Sequence, residues 1–163
     1  MPVRLLGCAL LLGISVIYIQ RYRRRMMMTH RYLAAWVELL NYTKQEIACF
    51  GTPLGRILDK IPTRLARVVM GEQGEGFRTF AHLCRAGARV MHDAGAYKSG
   101  ELLEGLSREI GTSWREQQLE RLQYYLTELE RQRVAYEAHM QKQLRLNSAL
   151  SLCCASGVML LLW

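Results

Sequence analysis

LAAWVELLNYTKQEIACFGTPL, residues 33–54, contains a helix, its stop signal and the start of the next element. Leu33, Trp36, Val37, Leu40, Ile47 and Phe50 fall at steps of three and four, the spacing of one apolar stripe on an α-helix, with Lys44 and Glu46 to its sides. The stripe predicts a helix over about residues 27–50 that stops at Gly51, a residue free to take the left-handed turn that ends helices. Thr52 and Pro53 then read as a restart. The hydroxyl is placed to cap free amides, and the proline sits at a first helical position that needs no donor.

The same pattern repeats outward from this stretch. Leu54, Ile57, Leu58 and Ile61 give a short second helix ended by Pro62, and Thr63 is placed to cap a third carrying Leu65, Val68 and Val69. Glycines at 71, 74 and 76 break the periodicity before a helix with Phe77, Phe80, Leu83, Cys84 and Val90. This glycine run reads as an interhelical turn and not as a phosphate loop. It lacks the Gly-Lys-Ser/Thr ending, follows a helix where a strand is required, and carries Glu72 and Glu75, which would repel phosphate. Gly95 and Gly100 punctuate the next stretch, and Leu102, Leu103, Leu106 and Ile110 form a short helix ending at Gly111.

With Ser113 as cap, a long last helix begins at Trp114. Leu119, Leu122, Leu126, Leu129, Tyr136 and Met140 alternate steps of three and four, with Arg133 in the one missing place. Such a heptad serves either an intramolecular bundle or an intermolecular coiled coil. The bundle is the simpler expectation, because the shorter amphipathic helices all need a partner face. No proline or glycine interrupts residues 112–156, so this helix is expected to run unbroken into the C-terminal apolar segment.

Both ends of the chain are hydrophobic. Leu5 to Gln20 is uncharged and leads into Arg21, Arg23, Arg24 and Arg25; Leu146 to Trp163 is uncharged and follows Lys142 and Arg145. At about 1.5 Å per residue each run covers most of a hydrocarbon core of roughly 30 Å. Transmembrane helices are therefore expected at 3–20 and 146–163, with the basic flanks placing residues 26–145 in the cytosol. A cleaved signal peptide fits less well, since only Arg4 precedes the apolar run and no small-residue cleavage pattern follows it. Leu5-Leu6-Gly7-Cys8 lacks the preceding hydrophobic segment of a lipoprotein site.

Composition excludes other classes. Of the net charge of +8, four charges come from the Arg21–Arg25 block and one from Arg4. An excess concentrated beside an apolar run reads as a topology signal and not as a nucleic-acid surface. The five cysteines include no Cys-x-x-Cys pair and are expected to be buried, reduced thiols acting as small apolar side chains. No cofactor or metal is implied, because His30, His82 and His139 have no ligand spacing. Cys84 and His92 with Asp93 are the one set resembling a catalytic group, yet on one helix they would lie roughly 12 Å apart, too far for proton transfer. The chain is therefore read as non-enzymatic.

Glu46-Ile47 followed by Gly51-Thr52-Pro53-Leu54, then Ile110-Gly111 with Gln118 and Leu122 on the next helix, all between two apolar ends, resemble the stage III sporulation protein AB family. Where that pattern leads to an acidic residue shortly after Gly111, this chain has Trp114. The resemblance implies an all-α protein, an antiparallel bundle of about six helices flanked by membrane helices and related to the cytoplasmic domains of type II secretion platforms. It also implies a place in the channel apparatus between mother cell and forespore, in the outer forespore membrane with the soluble domain facing the mother-cell cytosol. The implied partners are a cytosolic secretion-type ATPase, stage III sporulation protein AA, and other channel components. The exposed basic series Arg56, Lys60, Arg64 and Arg67 is the candidate partner surface. A self-associating scaffold without an ATPase partner is the alternative, and the role of the heptad stripe separates the two.

Overall fold

The computed structural model describes the backbone of residues 2–70, 79–111 and 114–162, with the side chains of most residues in the two terminal apolar runs outside the described set. Among the described residues there are six helices and no strand: α1 Pro2–Phe50, α2 Leu54–Lys60, α3 Thr63–Met70, α4 Phe80–Asp93, α5 Tyr97–Glu109 and α6 Arg115–Leu162. The predicted glycine turn at 71–76, Phe77 and the Ser113 cap lie outside the described residues. The chain divides into two compact units, one of Met1–Met28 with Tyr136–Trp163 and one of Thr29–Ala135. Among the described residues no helix is long and apolar enough to cross a membrane.

The core of the 29–135 unit forms around Trp36. Leu33, Trp36, Leu39 and Leu40 of α1 are buried together with Ile57 of α2, Leu65 and Val69 of α3, Leu83 and Met91 of α4, Leu103 and Leu106 of α5, and Leu122 and Leu129 of α6. Gly87 makes the α1–α4 approach possible, since a Cβ there would stand 2.2 Å from Cζ2 of Trp36. Gly100 is a contact residue and not the expected break. It lies inside α5 and is buried, and a Cβ on it would meet Nε2 of His92 at 2.7 Å and the Ala88 carbonyl at 3.1 Å. The turn between α4 and α5 is made by Gly95, whose φ of 82° only glycine takes freely, with its amide donating to the His92 carbonyl at 2.9 Å.

Leu122, Leu126 and Leu129 of the heptad are buried, as is Tyr125, so this part of the stripe packs inside the unit. Three apolar positions depart from the expected faces: Phe50, Val68 and Val90 are all exposed. Val68 and Val90 each sit one residue from a buried neighbour, Val69 and Met91, a rotation of about 100° off the core face. Phe50 is in register with the buried face but is the last residue of α1, where the chain turns away and leaves it uncovered.

Candidate functional site

Two of the turns singled out in the sequence meet at one end of the 29–135 unit. Gly51 takes φ 62° and ends α1 with its amide donating to the Ile47 carbonyl at 3.2 Å; the Thr52 amide donates to the Glu46 carbonyl at 3.2 Å. Gly111 takes φ 84° after α5, and a Cβ on it would sit 3.9 Å from Cδ1 of Leu54, so the Thr-Pro-Leu and Ile-Gly turns lie side by side.

Thr52 does not cap α2. The residue before that helix is Pro53, which provides no side-chain cap, and the Thr52 hydroxyl instead donates to Oε2 of Glu46 at 2.9 Å. The same oxygen receives Nζ of Lys60 at 3.3 Å, and the Tyr42 hydroxyl donates to the Lys60 carbonyl at 3.0 Å. Thr63 likewise is the first residue of α3 and not the residue before it. A carboxylate in a mostly buried position attracts the nearest donors, and Thr52 is six residues away across the turn. The Thr52 hydroxyl, with Lys60 assisting, holds the Glu46 carboxyl below the usual range, although desolvation pulls the other way.

Arg115 closes the site, a role that helical spacing alone does not point to. Its Nε donates to the Ile47 carbonyl at 3.1 Å and a terminal guanidinium nitrogen to the Ala48 carbonyl at 2.7 Å. The Ile47 carbonyl also accepts from the Gly51 amide, both carbonyls lie in the last turn of α1, and the positive charge sits at the negative pole of that helix. A signal was available in the sequence. A cation in the first turn of α6 opposes that helix's own dipole and is better placed to serve another element.

Two large apolar side chains are exposed close to this brace along the chain. Trp114 is 86% exposed and Phe50 is 73% exposed, flanking the Arg115 contact, with Pro53 exposed between the two helices. Arg56 is exposed on α2 and Arg64 and Arg67 on α3, whereas Lys60 is engaged by Glu46. Leu122 is buried in the core and Gln118 is half-buried. Arg21, Arg23, Arg24 and Arg25 are exposed on α1, and Lys142 and Arg145 are exposed on α6, in the other unit.

A family model for stage III sporulation protein AB matches residues 4–163. The chain belongs to that family. No curated protein and no solved structure matches it. The turns by which the chain resembles the family, Gly51-Thr52-Pro53-Leu54 and Ile110-Gly111, are thus the parts the fold brings into contact. Other chemistry finds less footing. Cys84 is fully buried, and burial pushes its thiol far above the ordinary range, leaving it a packing group, whereas Cys49, next to last in α1, is exposed against expectation. The His92 ring packs against Tyr97 with centroids 5.7 Å apart. Among the described residues no group of three or more His, Cys, Asp and Glu is placed to hold a metal ion.

Proposed function

We propose that this chain is a non-enzymatic membrane platform of the sporulation channel, which docks a cytosolic secretion-type ATPase, stage III sporulation protein AA, on the braced end of its helical unit. The observation that carries this reading is the exposure of Trp114 and Phe50 close along the chain to a helix end held by the Arg115–carbonyl bonds and the Thr52–Glu46 bond. Large apolar residues next to a braced helix end are the composition of an interface hot spot, and exposed Arg56, on the helix that follows the Thr-Pro turn, adds a cation for an acidic partner rim. Family membership supports the sporulation setting.

In this reading, 3–20 and 146–163 cross the outer forespore membrane. Arg21, Arg23, Arg24, Arg25, Lys142 and Arg145 hold the unit on the mother-cell side, as the charge distribution favours. The self-associating alternative relied on a free heptad stripe, and Leu122, Leu126 and Leu129 are engaged within the chain's own core. Titration calorimetry of the full chain in detergent micelles against purified ATPase tests the proposal. Association is expected, weakened on the order of tenfold or more by Trp114→Ala. No measurable association of the parent protein would overturn it.

A further inference from the structure

We infer that α6 carries an anionic-phospholipid site where its basic flank meets its apolar run. A groove of about 440 Å³ is lined by Ala138, Gln141, Lys142, Arg145, Leu146 and Ala149. Ala138, Lys142, Arg145 and Ala149 are spaced by four, three and four residues, with Gln141 and Leu146 on either side of that row, so these residues share one side of α6 over about 16 Å at 1.5 Å per residue. These six residues all belong to the unit of Met1–Met28 and Tyr136–Trp163.

Its chemistry changes along its length. Gln141, Lys142 and Arg145 supply polar and cationic side chains at one end, whereas Leu146 and Ala149 continue it as an apolar trough into the uncharged run. A phospholipid has the same order, an anionic phosphate followed by an acyl chain. The lengths agree as well. If residue 146 marks the edge of the hydrocarbon, Lys142 lies about 6 Å outside it, at headgroup depth, and Ala149 about 5 Å inside. Neutral or water-soluble anions match the cationic end alone or neither part; a nucleic acid has no use for the apolar end. Basic recesses on the cytoplasmic side of membrane helices are suited to acidic headgroups for this reason.

This inference rests on the membrane reading above, and the test separates the two. The full chain is reconstituted into vesicles of phosphatidylcholine with one-fifth phosphatidylglycerol, floated on a density gradient, then released into detergent for native mass spectrometry of retained lipid. Failure of the parent chain to float would overturn the membrane reading and this site with it. If it floats, retained phosphatidylglycerol should exceed phosphatidylcholine relative to the vesicle ratio. Lys142→Gln/Arg145→Gln should cut that retention roughly 25-fold, about fivefold per charge. Leu146→Trp, which fills the trough without altering charge, should also reduce it, whereas Arg85→Gln/Arg89→Gln, an equal charge loss on exposed positions of α4, should not. Flotation with no phosphatidylglycerol preference, or equal losses from the α4 pair and the groove pair, would overturn the site while leaving the membrane reading standing.

Discussion

Replacing Gly87 by alanine tests the packing that organises the core. The new methyl would stand 2.2 Å from Cζ2 and 2.7 Å from Cε2 of Trp36, well inside van der Waals contact. Trp36 is fully buried, so its ring can yield only by displacing Leu33, Leu40 or their neighbours in the same cluster. Overpacking of this kind costs about 1–3 kcal/mol, and the depth of the overlap places it toward the upper end. Exchange of glycine for alanine in a helix interior returns about 1 kcal/mol through propensity. The net expectation is a loss of about 2 kcal/mol, read as a lower urea midpoint in tertiary-structure circular dichroism of the full chain in detergent. In a Trp36→Phe background, where the smaller ring withdraws Cζ2 and Cε2, the Gly87→Ala penalty should shrink by about 1 kcal/mol or more, a coupling measured by the double-mutant cycle. A neutral or stabilising Gly87→Ala in the parent protein would mean that helix propensity acts alone and that the α1–α4 packing described above is wrong.

Arg115→Met should cost about 1.5–3 kcal/mol in the same assay, because the Ile47 and Ala48 carbonyls lose a charged donor, and Arg115→Lys should restore only part of it. Thr52→Val should flatten the acid limb of stability. A Glu46 carboxyl held below its ordinary range contributes stability that is present above that range and lost as pH falls through the lowered value. The parent melting temperature should therefore drop more steeply on acidification than that of the variant, and parallel pH profiles would refute the Thr52–Glu46 assignment. Trp114→Ala should leave thermal stability within about 0.5 kcal/mol, as befits an exposed residue, while ATPase association weakens; a large loss of stability would place the indole in a structural role.

Helix content and most punctuation were decided locally, by spacings of three and four and by Gly51, Pro62, Gly95 and Gly111, because helical hydrogen bonds and turns join residues only a few positions apart. The family-bearing turns were legible for the same reason. Which residue serves which element was not. Arg115 braces carbonyls 67 and 68 positions back along the chain, and Thr52 turns to Glu46 and away from the helix it precedes. Gly100 resembles a break in the sequence and is a contact against His92 and Ala88 in the fold. Phe50 fits the buried stripe and is uncovered, because α1 ends where no other helix continues over it. Periodicity determines which face of a helix is apolar; only the assembled bundle determines how far along that face a partner extends, and with it where the exposed apolar end and its brace are formed.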